Sequence, residues 1–344
     1  MKISLILIVF AFEFILFSNA KSGEEQFALV QFIHNSSDSR LEKVDIYANG
    51  TLIADNIEFQ SATNYMYLLA NTEYHFSINH NTSIGFTDQV LAVNSFPLFK
   101  PYGEYVIIIN GVGLGDFNLG SKDRNIALNL SIFNGIKGDV FPEVIELNLY
   151  HGVTDAPSFD IYDNKNKSLV SSNLKYDNAM GWKTIKDINS EIKISENLDI
   201  FSQYGIFNIP FSEFKGKSLF LITSGFLTPD DEPDGNKERG FESYAVTSDG
   251  TVILLDLVSS VDRNLSESSN LYPNPSSNMI EIVLKDAFSK SYNIYNNNSE
   301  LMLSNLFENQ SKIKINTSQL TSGKYFIIIE TDKGQVFKSF LISK

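Results

Sequence analysis

The sequence predicts an all-β protein, two tandem β-sandwich domains followed by a smaller third one. Three observations carry that prediction. Apolar residues recur with a period of two along most of the chain, which marks strands with one buried and one wetter face. Turn-forming dipeptides separate the runs, and no segment shows a sustained 3.6-residue apolar stripe with helix caps. A pattern near the N-terminus returns at an offset of 117 residues.

The elements follow in order. Val44–Tyr47 and Leu52–Ala54 flank Asn49-Gly50, a dipeptide that favours the positive φ angles of a two-residue hairpin. Tyr74, Phe76 and Ile78 alternate with His75 and Ser77, Ile126 to Ile132 alternates in the same way, and so do Ile145, Leu147 and Leu149. Two runs are continuously apolar, Tyr105–Ile109 and Val252–Leu255, as suits central strands. Asp249-Gly250 is expected to close a second hairpin.

The repeat is specific. Phe32-Ile33-His34-Asn35-Ser36-Ser37-Asp38, then Val44-Asp45-Ile46-Tyr47, then Asn56 and Phe59, forms the first copy. Leu149-Tyr150-His151-Gly152-Val153-Thr154-Asp155, then Phe159-Asp160-Ile161-Tyr162, then Asn173 and Tyr176, forms the second. His34 aligns with His151, Asp38 with Asp155, Asp45 with Asp160, and Gly111 with Gly225. Two copies of this length mean tandem domains rather than a solenoid, whose periods run about 20–50 residues.

Composition narrows the function classes. The 344 residues are 43% hydrophobic and carry 27 Lys and Arg against 41 Asp and Glu, a net charge of -14. That balance disfavours nucleic acid as a main partner, since phosphate backbones are held by clustered positive charge, and none is expected. No cysteine is present, so disulfides, thiolate metal sites and cysteine nucleophiles are excluded. At the N-terminus Lys2 precedes the apolar run Ile3–Phe17, and Ser18-Asn19-Ala20 supplies a small-residue cleavage site. This reads as a signal peptide over 1–20 cut after Ala20, because the run is short of a span and contains Glu13. The mature chain is expected to hold no transmembrane segment. An exported chain of this size without cysteine leans bacterial.

The His-x-x-x-Asp segments, the Val/Phe-Asp-Ile-Tyr strands and the stretches Gly225–Pro229 and Tyr244–Val252 resemble a bacterial family known as domain of unknown function 4397. The resemblance runs from about Phe27 to Val258. It implies an immunoglobulin-like sandwich, found in tandem in exported proteins, and no established activity. The first copy departs from the pattern: Ser39-Arg40 stands where the second has Ala156-Pro157, with two extra residues before Asp45.

Residues 259–270 are polar and without period, so they are expected to form a flexible linker. Beyond them stand Tyr272-Pro273-Asn274-Pro275, alternating strands, the Leu320-x-x-Gly323-x-Tyr325 motif, and a terminus that is basic and apolar from Lys338 to Lys344. Pro273 and Pro275 are expected to make a stiff extended lead-in, and Gly323 a turn before the strand from Tyr325. These motifs resemble the type A C-terminal sorting domain of the type IX secretion system of Bacteroidetes-type bacteria. The resemblance implies export past the outer membrane, the secretion machinery as a partner, and a mature body that is released or attached to surface lipopolysaccharide.

Candidate chemistry is sparse. His34 and His151 each end an apolar strand with an Asp four residues on, so each pair is a candidate acid/base or half metal site. The alternative is a buried imidazole bonding its own loop while Asp38 and Asp155 satisfy turn amides. Recurrence favours the alternative, since a fold-defining corner repeats and a catalytic site need not. Asp45 and Asp160 fall mid-strand on the face opposite the core. No Gly-x-Ser-x-Gly elbow, phosphate loop or His-Glu-x-x-His motif occurs. Asp230, Glu232 and Asp234 sit at the first, third and fifth places of an EF-hand count, but the twelfth is Phe241. A solvated acidic loop is preferred there, with calcium left as a weak candidate and no other cofactor. Trp182, aligned with Tyr65, is read as core packing rather than a sugar platform.

The expected organisation is a signal peptide over 1–20, sandwiches over 21–142 and 143–258, a linker over 259–270 and a sorting domain over 271–344. The expected function is a non-catalytic binding or adhesion protein on the cell surface or in the medium, reached through the periplasm, with lipopolysaccharide, glycans or surface proteins as partners. The alternative is a secreted hydrolase, or its carbohydrate-binding subunit, using the His–Asp loops.

Overall fold

The computed structural model describes residues 25–96, 98–113, 125–166, 168–186, 191–197, 199–209, 211–228, 239–259, 263–297 and 300–344. The expected signal peptide and its cleavage site after Ala20 lie outside them. The first repeat holds β1 (Phe27–His34), β2 (Lys43–Ala48), β3 (Thr51–Glu58), β4 (Ser61–Ala62), β5 (Met66–Leu69), β6 (Tyr74–His80), β7 (Val90–Phe96), β8 (Glu104–Asn110) and β9 (Asn129–Asn134). One sheet has the order β3-β2-β6-β7; the other runs β4-β1-β8-β9, with β5 also on β1. The second repeat holds β10 (Ile145–His151), β11 (Phe159–Asp163), β12 (Ser168–Leu174), β13 (Lys183–Ile185), β14 (Glu191–Glu196), β15 (Asp199–Asn208), a short helix α1 (Phe211–Phe214), β16 (Ser218–Ser224), β17 (Glu242–Val246), β18 (Val252–Leu254) and β19 (Asp256–Ser259). Its sheets are β13-β10-β16-β17-β18 and β12-β11-β14-β15-β19. Each repeat pairs its first strand in parallel with a late one, His34 opposite Ile109 and His151 opposite Thr223.

The two sandwiches share more than a tether. Phe32, Ile107 and Ile109 point into the first core, with Val44, Ile46, Phe76 and Ile78 opposite. Leu147, Leu149, Leu219 and Leu221 point into the second, against Phe159, Ile161 and Ile194. The intervening residues on the same strands form a third apolar layer: Ile33, Val106 and Ile108 meet Tyr150, Phe220, Ile222, Tyr244 and Val246. The sheets of β1 and β10 are therefore apolar on both faces and pack on each other, giving four stacked layers. Each such side chain gains roughly 1.5–3 kcal/mol by burial, which outweighs the cost of fixing two tethered bodies together.

Polar groups fix the register of that junction. Gln31 Nε2 donates to Thr63 O at 2.9 Å and to Thr247 O at 3.2 Å. Tyr244 Oη donates to Asn35 Oδ1 at 2.9 Å, while Asn35 Nδ2 donates to Asn110 Oδ1 at 2.9 Å. A Cβ on Gly152 would stand 2.1 Å from Asn35 Nδ2, so the asparagine of one repeat occupies the space left by the glycine aligned with it in the other.

The turns divide. Asn49 and Gly50 have φ of 47° and 84° and join Ala48 directly to Thr51, the expected two-residue hairpin. The Asp249-Gly250 connection is longer: Val246 pairs Val252, and of this dipeptide only Gly250 has positive φ. A Cβ on Gly250 would stand 2.8 Å from Thr63 O, so that turn abuts the first repeat. Val252–Leu255 is not a central strand. β18 is the edge of its sheet, Leu254 is 60% exposed, and Leu255 crosses into the second core as the chain changes sheets to β19. Its continuous apolar character comes from serving two layers in succession.

The third unit is a small sandwich of β20 (Asn270–Tyr272), β21 (Met279–Val283), β22 (Ser289–Asn296), β23 (Leu301–Gln310), β24 (Lys312–Asn316), β25 (Gly323–Thr331) and β26 (Gln335–Ile342). Its sheets are β20-β21-β24 and β23-β22-β25-β26. Ile280, Ile282, Ile294, Ile313, Ile327, Ile329 and Phe340 fill the space between them. The flexible linker expected over 259–270 is replaced in its described part by structure. A helix α2 (Arg263–Ser268) inserts Leu265 into this core, and Ser266 Oγ accepts from Phe337 N at 3.1 Å. One apolar residue in the polar stretch suffices to dock it.

Candidate functional site

The two His–Asp corners close the C-terminal ends of β1 and β10. His34 is fully buried; its Nε2 lies 2.7 Å from Leu41 O, and its Nδ1 accepts from Ser36 N at 3.3 Å. Those partners assign the proton to Nε2. Burial pushes the imidazole down to about 4, with the nearby Arg239 charge adding to the effect against the Leu41 carbonyl. His151 is likewise buried, its Nε2 2.8 Å from Pro157 O and its ring stacked on Phe159 at 3.7 Å.

Each Asp ties its corner to the loop after the parallel strand. Asp38 accepts from Arg40 N at 3.0 Å, Arg40 Nη2 at 2.7 Å and Gly113 N at 2.9 Å. Burial alone would raise this carboxyl, but the bonds from Arg40 and Gly113 hold it below the usual range. Asp155 accepts from Leu227 N at 2.7 Å and from Thr228 N at 2.8 Å. Neither His faces its Asp as a hydrogen-bonded pair in these bonds; the carboxylates bind amides and the imidazoles bind carbonyls.

A pH dependence follows from His34. Its folded-state pKa, about 4, lies below the ordinary 6.5. Its contribution is thus complete above pH 6.5 and is lost as pH falls toward 4, because the unfolded chain takes up a proton that the folded one refuses. The loss approaches roughly 3 kcal/mol. Thermal unfolding should show Tm falling between pH 7 and 4.5, less steeply in His34→Gln; equal slopes would mean that the ring is not a neutral post. Asp38, held below its usual range, gives up its contribution only at lower pH still.

Asp45 and Asp160 lie outside the cores, yet are nearly fully buried. Asp45 accepts from Asn56 N at 2.9 Å and Ser83 Oγ at 2.9 Å; Asp160 accepts from Asn173 N at 2.8 Å and Asn197 Nδ2 at 3.0 Å. Asn56 and Asn173 have φ of 54° and 53° beside register shifts in both hairpins, so each Asp holds a β-bulge.

Arg239 is a junction residue that sequence reasoning missed. Nearly buried, it donates to Ser36 O at 3.2 Å and Asp38 O at 3.0 Å, pairs with Glu42, and lies 4.1 Å over the Phe59 ring. A lone arginine beside an acidic loop gives no sequence signal for such a seat. Trp182 is partly buried against the junction layer, edge-on to Phe220 at 5.8 Å, and Tyr65 Oη bonds both N and O of Ile136. Residues Asp230, Glu232 and Asp234 lie outside the described residues, among which no group of three His, Asp or Glu side chains is placed to hold a metal ion.

A groove of about 760 Å³ opens on the outer sheet of the first repeat. Its floor is His75 and Ser77 of β6; the Asn49-Gly50 turn and Glu73 form one rim, and Phe86, Thr87, Val90 and Val93 the other. Buried Asn79 shapes it by donating to Asp88 O at 2.7 Å and Phe86 O at 3.2 Å, which folds the 81–89 loop back over the sheet. The Phe86 ring rests against Gly50 and stays 49% exposed, and Val93 is 62% exposed. The second repeat lacks a loop of that length at this place, because β14 ends at Glu196 and β15 begins at Asp199. The groove therefore lies outside the repeated pattern, and its one mark in the sequence is Phe86 within a Gly-, Thr- and Asp-containing loop.

The C-terminal motif is built as an edge closure. Tyr272 Oη donates to Glu281, and residues 273–275 bend, with both Tyr272–Pro273 and Asn274–Pro275 cis, in place of the expected extended lead-in. Asn274 Oδ1 accepts from Leu341 N at 2.9 Å, and Ser276 exchanges 2.8 Å bonds with Leu341 O and Ser343 N. The motif thus covers the outer edge of the last strand. Leu320 is buried, Tyr325 Oη donates to Thr321 O at 3.0 Å, and Lys344 Nζ donates to Ser318 O. Gly323 is not a turn: it is the first residue of β25, paired with Ile342, and a Cβ there would meet only ordinary contact. Lys338 pairs Ile327 in the same ladder.

These features define the third unit as a compact C-terminal module whose first motif locks its last strand. Residues 270–343 match the family model of the secretion system C-terminal sorting domain. The chain is accordingly a secreted protein of Bacteroidetes type, handled by the type IX secretion machinery and placed at the cell surface or outside the cell. No helix among the described residues is long and apolar enough to cross a membrane. No curated protein matches the chain. Similar solved structures include the Bacillus anthracis TIE protein, at 11% identity and a TM-score of 0.17, covering 93% of this chain and 49% of that one. Another is the Bacteroides ovatus mixed-linkage glucan utilization locus protein SGBP-B, solved with a mixed-linkage heptasaccharide, at 13% identity and a TM-score of 0.17, covering 95% of this chain and 69% of that one. The chain thus spans about half the length of the first. Likeness at that level carries no argument about ligands.

Proposed function

We propose that the chain is a non-catalytic binding or adhesion protein, displayed on the cell or released, whose two repeats are domains of the unknown-function 4397 type with an immunoglobulin-like sandwich. Export runs through the periplasm by the signal peptide and then across the outer membrane by the sorting domain. The observation that carries the reading is the contrast between the two kinds of site. The imidazoles of His34 and His151 are buried with Nε2 against loop carbonyls, whereas the groove beside Phe86 is open and formed by side chains of mixed character. Proton transfer to a substrate needs hydrogen-bond reach to it, which the buried imidazoles lack. Ligand recognition needs a preformed concavity with a few polar groups, which the groove supplies.

The test is an array of glycans and extracellular-matrix proteins probed with the mature full-length chain, together with a hydrolase substrate panel. Saturable binding without turnover is expected. Turnover abolished by His151→Ala in a chain that still melts cooperatively would replace this reading with the hydrolase one.

A further inference from the structure

The groove on the first repeat has a chemistry that selects among ligands. Among the described residues that line it, Glu73 alone carries a formal charge, and it faces His75, whose Nε2 is 3.9 Å from the carboxylate. No lysine or arginine is among those described residues, in a chain of net charge -14, so phosphate, sulfate and uronate groups meet repulsion without a counter-charge there. One wall is apolar, formed by the half-exposed ring of Phe86 with Val90 and Val93, and the facing rim is polar. A flat molecule with one apolar face and a hydroxylated edge matches that division.

The floor argues against an extended peptide. β6 is paired on both sides, with β2 and with β7, so its backbone offers no bonds for strand addition. The groove walls are also fixed in advance. Asn49 is held by Glu73 O at 3.0 Å and His75 N at 2.9 Å, His75 Nδ1 by Ser95 Oγ at 2.6 Å, and the Phe86 loop by Asn79. Ligand binding therefore need not order the site first.

We propose that this groove is the seat of an uncharged oligosaccharide. One pyranose ring stacks on Phe86, and its hydroxyls donate to the Glu73 carboxylate and bond His75 Nε2. The proposal rests on the binding-protein reading and narrows it to one site and one ligand class, setting aside lipopolysaccharide phosphates as the contact.

The experiment is calorimetry and affinity electrophoresis of the mature full-length chain with neutral cellohexaose, mannohexaose, maltohexaose and mixed-linkage β-glucan. Heparin, polygalacturonate and an extended Val-Thr octapeptide serve as counter-probes. Saturable binding of at least one neutral glycan is expected, weakened roughly tenfold or more by Phe86→Ala and less by Glu73→Gln, with Tm close to wild type in both. Absence of neutral-glycan binding, or Phe86-dependent binding of heparin or of the peptide, overturns the proposal. Neutral-glycan binding that Phe86→Ala leaves unchanged also overturns it while leaving the binding-protein reading in place. If the chain binds no array component at all, both fall together.

Discussion

Gly225→Ala is expected to destabilise the paired repeats by about 3 kcal/mol or more, lowering Tm by on the order of 10 °C. Two effects add. Gly225 has φ of +83°, a conformation that costs an L-residue roughly 1–2 kcal/mol. A Cβ there would also stand 1.9 Å from Gly240 O, a backbone atom that cannot swing aside. Gly181 separates the two effects, since it has φ of +80° with nothing within 4 Å of its Cβ position. Gly181→Ala should therefore cost only the conformational share. Thermal unfolding of both variants checks this. A Gly225→Ala protein that melts like Gly181→Ala would mean that the backbone after β16 does not approach Gly240 closely.

Removing residues 263–344 is expected to abolish appearance of the protein outside the cell, read on blots of medium and surface fractions, while the paired repeats still fold. The cut belongs before α2 because Leu265 is buried in the core of the sorting domain. A cut at 271 would leave that helix exposed on the truncated chain and add instability to loss of the signal. Normal amounts of the shorter chain in the medium would show that export depends on another part of the protein.

Much of this architecture is legible in the sequence because it rests on local chemistry. Period-two runs such as Tyr74–Ile78 become strands, Asn49-Gly50 becomes a tight hairpin, and Tyr272–Pro275 with Leu320 and Tyr325 marks the sorting domain. The repeat also picks out the right pairs, since Asp45 with Asn56 and Asp160 with Asn173 are bonded partners. What sequence reasoning misses depends on packing between distant segments. The apolar residues Val106 and Ile108 read only as a central strand, although they face a second sandwich. Arg239 finds Phe59 and Glu42 from nearly 200 residues away. The groove requires the 81–89 loop to fold over a sheet, and the polarity of that loop predicts only that it is exposed.

Asn35 seated against Gly152 makes the junction between the repeats asymmetric. Two identical copies meeting across a two-fold axis would have to present the same residue to each other at that point. Within one chain the two halves are free of that constraint: Asn35 is the bulky member of the pair and Gly152 leaves the space for it. The two repeats thus pair as unlike halves carried on a single polypeptide. Each half, cut loose, would expose the junction face of its double-sided apolar sheet to water. A protease that severed residues 135–144 without separating the layers would leave a nicked but intact particle. Expression of either half by itself should yield aggregate rather than a smaller binding module.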